Sequence, residues 1–165
     1  MVEKSGTRLV RLLQKNDPFR KESCRNAQRC MVCKGEDGES GGDCRESSVT
    51  YKIKCLGEKD GDPEEQCGEP YHGETDRNGY TRGREQEADL TNKRESSALW
   101  KHCVEKHGSV EQKFEMVVVD RARNDATKRQ ILEAIRIQRA DSGQILNGRG
   151  EWNSNRVPRL TVNRI

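Results

Sequence analysis

The stretch YHGETDRNGYTRGREQ, Tyr71–Gln86, sets an aromatic residue and a glycine before a polar turn, then opens a helix with arginines in its first turns. A short strand through Tyr71, followed at once by a helix over Tyr80 to Lys93, is the local grammar of a mixed fold. Working outward, SVTYKIKC (48–55) alternates Val49, Tyr51 and Ile53 with polar residues, the period of a half-buried strand. It is separated from the strand at Glu69 to Gly73 by the acidic insert LGEKDGDPEEQ (56–66), and the two strands together read as an irregular hairpin. Ser96 to Lys106 reads as a second helix, with Ser96 or Ser97 as cap and Gly108 as its stop. KFEMVVVDR (113–121) is rich in β-branched residues from Phe114 to Val119 and is expected to be the central strand. After Asn124 and Asp125, which can cap, ATKRQILEAIRIQRA (126–140) reads as the longest helix. The order β, β, α, α, β, α predicts an α+β domain with a small antiparallel sheet flanked by helices.

Composition narrows the class. The chain has 165 residues, of which 30% are hydrophobic and 36% charged, so a single domain has little apolar surface to bury. The net charge of +3 gives no strong whole-chain field, and the basic islands RARNDATKRQ (121–130) and NRVPRLTVNRI (155–165) read equally as solvated faces or as phosphate contacts. No apolar run is long enough to span a bilayer, and no apolar leader precedes the seven cysteines. The expected compartment is therefore intracellular and reducing, without membrane attachment, where clustered cysteines hold zinc more often than they pair. A secreted disulfide scaffold is the alternative, and the odd cysteine count argues against full pairing.

Two groups have ligand chemistry. Cys24, Cys30, Cys33 and Cys44 lie in a polar, glycine-rich segment with nothing apolar to order it, and Cys30-x-x-Cys33 can close onto adjacent tetrahedral positions. Cys55 and Cys67 flank the acidic insert, while His102 and His107 lie on or just beyond the second helix. Histidines five apart diverge on an ideal helix, so the helix must loosen before His107 if both are ligands. Cys103, beside His102, is an alternative ligand, and surface histidines with half-buried thiols are the alternative to this second site, as reduced cysteines, or a site using only some of the four, are to the first. At the N-terminus, GTRLVRLLQKNDP (6–18) puts Leu9, Val10, Leu12 and Leu13 on one side of a short helix ended by Pro18.

VTYKIKC (49–55), YHGETDRNGYTRGREQ, ILEAIRI (131–137) and ILN (145–147), taken in order, resemble the GIY-YIG nuclease module. The likeness is greatest to the Penelope-like retrotransposon endonucleases, whose Tyr-x-Gly-Glu-Thr-x-Arg signature is visible at Tyr71, Gly73, Glu74, Thr75 and Arg77. The resemblance implies that Tyr51 and Tyr71 are the two motif tyrosines, Arg82 the arginine of the first helix, Glu133 the magnesium- or manganese-binding glutamate and Asn147 the terminal asparagine. It implies that Gly73, Arg77, Gln86 and Asn147 contact substrate, and that Cys55, Cys67, His102 and His107 form a zinc site. Cys24, Cys30, Cys33 and Cys44 would hold a second zinc. Three departures stand out: Val49-Thr50-Tyr51 lacks the Gly-Ile of the first motif, His72 replaces an aliphatic residue, and Gln86 stands where many relatives have histidine.

The implied organisation is an N-terminal helix over 1–22, a cysteine-rich zinc-binding segment over 23–48, a GIY-YIG nuclease domain with a three-stranded antiparallel sheet over 49–150, and a basic tail over 151–165. The implied activity is a metal-dependent nick in DNA that leaves a 3′-hydroxyl for a reverse transcriptase of the parent polyprotein, in the nucleus. A catalytically inactive, zinc-stabilised nucleic-acid-binding module is the alternative. Apart from the resemblance, Tyr51 and Tyr71 could be ordinary strand aromatics, and Arg129 with Glu133 a surface ion pair one turn apart.

Overall fold

In the computed structural model the described residues are 24, 30–33, 44–59, 62–123, 125–140 and 145–147. The N-terminal helix expected over 1–22 and the basic tail over 151–165 lie outside them. Strands β1 (Val49–Cys55), β4 (Pro70–Thr75) and β5 (Phe114–Arg121) form an antiparallel sheet in the order β4-β1-β5. Strands β2 (Glu58–Lys59) and β3 (Asp62–Gln66) make a separate small hairpin of the acidic insert. Helices α1 (Gly79–Thr91), α2 (Ala98–Lys106) and α3 (Ala126–Arg139) complete an α+β fold.

The sequence expectation of a central β5 is corrected: β1 is central and β5 lies beside it. A central strand must be covered on both faces, and β1 meets that need with Val49, Tyr51, Ile53 and Cys55 buried on one face and Thr50 buried on the other. The β-branched run of β5 instead leaves Val117 exposed. β5 also carries an extra residue opposite β1, since Thr50 pairs with Asp120 and Tyr51 with Val118.

Caps set the helix starts. Asn78 accepts from the Thr81 amide at 2.8 Å, Ser97 from the Trp100 amide at 3.3 Å and Asp125 from the Lys128 amide at 2.9 Å. The α2 helix ends at His107, whose φ of −125° is already non-helical, and Gly108 follows in the left-handed region at φ 57°.

The two faces of the sheet have different chemistry. On the Tyr51 face, Leu90 of α1 and Leu99 and Cys103 of α2 close an apolar core with Ile53 and Met116, and Cys30, Met31, Val32 and Cys44 belong to the same cluster. The opposite face is held by ion pairs from α3. Arg129 is buried and donates to Glu74 at 2.5 Å and to Ser48 Oγ at 2.8 Å, while Arg136 donates to Asp120 at 2.7 and 2.9 Å. The reading of Arg129 as a surface residue is thereby corrected; it is an anchor between helix and sheet, and Glu74 is its partner.

His72 lies on that same face, buried, and its Nδ1 has no hydrogen-bond partner among the described residues. Burial lowers its pKa, and Lys52 and Arg136 add to the effect. Because the folded pKa is depressed, the unfolded chain takes up a proton below pH about 6.5 that the folded chain refuses, so stability falls as pH drops through that value. His72→Ile is expected to raise stability by about 1 kcal/mol and to flatten the acid limb of the pH profile. Urea unfolding of both proteins at neutral and mildly acidic pH checks it.

Candidate metal centres and active-site face

The acidic insert makes the first metal group. By folding into the β2–β3 hairpin it returns Cys67 to Cys55: the Cys67 amide donates to Gly57 O at 2.7 Å and the Gly68 amide to Cys55 O at 3.0 Å. The loosened end of α2 brings in both histidines. Cys55 Sγ lies 3.4 Å from His107 Nε2, Cys67 Sγ 3.4 Å from His102 Nε2, and the two Nε2 atoms 3.1 Å apart. Tetrahedral zinc with ordinary Zn–S and Zn–N lengths needs separations of about 3.3–3.6 Å between such atoms, so the four residues fit the ion. Burial, joined by the neighbouring thiols of Cys67 and Cys103, pushes the Cys55 thiol up to about 12. A divalent cation would reverse that penalty by letting both thiols ionise. Glu69 Oε2 lies 3.4 Å from His102 Nδ1, on the side away from the other ligands, and so can orient the ring through its second nitrogen. Cys103, the alternative ligand, is instead fully buried in the apolar core.

Cys24, Cys30, Cys33 and Cys44 form the second group, with all four sulfurs within 4.8 Å of one another. The Cys33 amide donates to Cys30 O at 3.0 Å, closing the turn of the knuckle. Burial and the neighbouring Cys30 thiol raise the Cys33 pKa to about 12, the same need for a cation as in the first group. Both clusters could therefore hold a metal ion such as zinc.

Of the remaining sequence-selected residues, Arg82, Gln86, Tyr71 and Gly73 lie around Tyr51. Its hydroxyl accepts from Arg82 Nε at 2.9 Å and from Gln86 Nε2 at 3.4 Å, two side chains one turn apart on α1. Tyr71, two residues from Gly73 on β4 and hence on the same face, places its ring centroid 6.4 Å from that of Tyr51. Burial opposes the charge on Arg82, but the Tyr51 and Tyr71 phenols and Asp89 outweigh it and the guanidinium pKa is raised. Glu133 stands apart from this group, on α3, the helix that covers the opposite face of the sheet, and is linked to it through its charge. Arg129, Glu133 and Arg136 share one helix face at i, i+4 and i+7, and the two arginines anchor that face to Glu74 and Asp120. The Glu133 charge reaches Tyr51, where burial, above all, and Glu133 raise the phenol pKa against the lowering effect of Arg82 and Gln86.

Not a single comparison identifies the chain: no family model, no curated protein and no solved structure matches it.

Three sequence-selected residues have structural partners. Asn147 Oδ1 accepts from the His72 amide and its Nδ2 donates to His72 O, both at 2.8 Å, so both ends of the amide grip the β4 edge. Arg77 is paired with Glu85, and Glu85 also meets Arg82 at 3.2 Å, leaving one carboxylate between two guanidinium groups. Gly73, expected to let the backbone approach a substrate, is opposite Tyr51 in the register, and a Cβ there would lie 2.5 Å from the Tyr51 ring and hydroxyl. Its missing side chain is the seat of the Tyr51 ring. Gly73→Ala is expected to cost about 1–3 kcal/mol and to push the phenol away from Arg82; thermal melting measures the loss.

Sequence reasoning missed the Asn78 cap, the Glu69 contact to His102 and the Glu85 bridge. Asn78, the i, i+3 spacing of Arg82 and Glu85 and the i, i+4, i+7 spacing on α3 carried a legible signal; Glu69 carried none, because its partner His102 comes from a distant part of the chain.

Proposed function

We propose that the protein is a zinc-supported GIY-YIG endonuclease domain of the Penelope-like retroelement kind, hydrolysing a phosphodiester of DNA. The single observation that carries the reading is the cluster of Arg82 and Gln86 on the Tyr51 hydroxyl, beside Tyr71 and within the electrostatic reach of Glu133. Phosphate attracts the planar guanidinium fork of Arg82, which keeps its charge at any working pH. A phosphate oxygen would compete with Glu85 for that fork.

Tyr51 is buried and its phenol is held above the ordinary range, so its role is to aim Arg82 and Gln86 rather than to accept a proton. Tyr71, half-buried at the edge of the cluster, is the better placed general base for the attacking water. Glu133 offers a hard carboxylate of the type that binds magnesium or manganese with few other protein ligands. The ion would supply charge neutralisation on the leaving-oxygen side of the phosphate. Gln86 can hydrogen-bond a phosphate or a water but cannot shuttle a proton near neutrality, which implies a slower enzyme than relatives with histidine. In the parent reading frame the nick would furnish a 3′-hydroxyl to a reverse transcriptase, in the nucleus.

Gln86 and the raised Tyr51 phenol also favour a second reading, a zinc-stabilised nucleic-acid-binding module that has lost catalysis. Supercoiled plasmid incubated with magnesium separates the two. The wild-type protein is expected to produce open circles and Glu133→Ala none. Nicking that persists in Glu133→Ala removes the glutamate from the site, and binding without nicking by the wild type selects the second reading.

A further inference from the structure

The cysteine knuckle makes more than a metal site, because it is built into the start of the helix that carries Arg82. An α-helix leaves its first four amides without intrahelical acceptors. In α1 the Gly79 amide donates to Glu46 O at 3.0 Å and the Tyr80 amide to Cys44 O at 2.6 Å. The Thr81 amide goes to the Asn78 side chain at 2.8 Å, and the Arg82 amide then makes the first intrahelical bond, to the Asn78 carbonyl at 3.0 Å. The amides of Gly79, Tyr80 and Thr81 are thus all satisfied, and the carbonyls of Cys44 and Glu46 occupy the position where a helix start could otherwise receive an anion. Phosphate recognition on α1 is left to side chains.

The same knuckle reaches the inner side of the helix and the sheet. Met31, between ligands Cys30 and Cys33, is buried, and a Cβ on Gly83 would lie 3.1 Å from the Met31 Cβ. Gly83 follows Arg82 directly, so Met31 packs against α1 one residue from the arginine. The Met31 carbonyl accepts from the Met116 amide of β5 at 2.9 Å, and Gly79 lies against Cys44, with 3.3 Å from a built Cβ to the Cys44 carbonyl. Three contacts therefore clamp α1 to β5 through residues that belong to, or adjoin, the four cysteines.

We propose that the Cys24–Cys30–Cys33–Cys44 knuckle, when loaded with metal, is a clasp that positions α1, setting Arg82 and Gln86 on the Tyr51 hydroxyl. Its consequence for DNA rests on the nuclease reading above; the clasp itself does not. Removing a ligand loosens the loop that supplies Cys44 O and Met31 O, and α1 then loses both its end stop and its inner wedge while the central strand keeps its partners.

Amide hydrogen exchange on the full chain tests the clasp without reference to activity. Cys33→Ser is expected to lose one zinc per chain and to speed exchange at Tyr80 and Met116 at least about tenfold, while Tyr51 and Ile53 stay protected. Affinity for a short DNA duplex, measured with calcium in place of magnesium, is expected to fall about as far as in Arg82→Ala, with no further loss in the double variant. Unchanged exchange at Tyr80 and Met116, or equal loss at Tyr51 and Ile53 in a folded variant, overturns the clasp. If Cys33→Ser does not fold, Met31→Ala decides: it keeps every cysteine, and faster exchange at Tyr80 with both metals retained supports the clasp, whereas unchanged exchange overturns it. A wild-type protein that binds no DNA would sink the nuclease reading alone, since the exchange result stands by itself.

Discussion

On the proposed nuclease reading, Arg82→Ala is expected to lower the initial rate of magnesium-dependent plasmid nicking by about 10²- to 10³-fold, the usual cost of removing one preorganised donor from developing negative charge. Two losses coincide in this variant. A bound phosphate would lose its guanidinium fork, and the buried Tyr51 hydroxyl loses its 2.9 Å donor, keeping only the longer bond from Gln86 at 3.4 Å. Arg82→Lys should rescue little, because an ammonium on a flexible stem cannot bond the phenol through one nitrogen and present two more to a phosphate. Zinc content and the far-ultraviolet spectrum should be unchanged, since neither cysteine cluster includes Arg82. Nicking within threefold of the wild type in Arg82→Ala would falsify the phosphate-binding role.

Stripping the metal from Cys55, Cys67, His102 and His107 should have the largest effect on stability. Structural zinc contributes roughly 10–16 kcal/mol at neutral pH, as much as the whole stability of an ordinary domain, about 5–15 kcal/mol. This chain has little else to compensate, with 30% hydrophobic residues. The cluster joins the end of β1, the base of the β2–β3 hairpin and the end of α2. Cys55→Ser is therefore expected to be unfolded at room temperature, and a strong chelator to unfold the wild type cooperatively. Circular dichroism and thermal melting with metal analysis read the result. A melting temperature that moves by only a few degrees on loss of this ion would make the cluster a surface site, and the apolar core would then have to be sufficient alone.

Much of this architecture can be read locally. The alternation at Val49, Tyr51 and Ile53 identifies β1 because one residue in two must face the core. Ser97 and Asp125 mark helix starts because their side chains satisfy amides three residues on. The loosening of α2 at His107 follows from the five-residue spacing of two ligands, and the structure has it. What failed was rank within the sheet. The β-branched content of β5 suggested a central strand, but hydrophobicity reports burial on either face without saying which neighbour provides it, and β1 holds that place.

The candidate site was legible in its residue types and not in its division of labour. Gly73 and Asn147 were selected as substrate contacts, yet one makes room for the Tyr51 ring and the other grips the His72 backbone. Arg129 reads as a surface charge only while Glu74, 55 residues away, is unseen.

By itself the sequence determined the chemistry available: two sets of soft ligands, a pair of phenols, an arginine one turn before a glutamine, and a carboxylate on a long helix. Spacing along a chain encodes local periodicity, and each of these features is local. Only the tertiary structure decided which of them meet, since β1 brings Tyr51 to Arg82 across 31 residues and the knuckle brings Cys44 and Met31 onto α1 and β5. Those pairings depend on strand order and on the face each helix covers, quantities set by the burial of the whole domain rather than by any single segment.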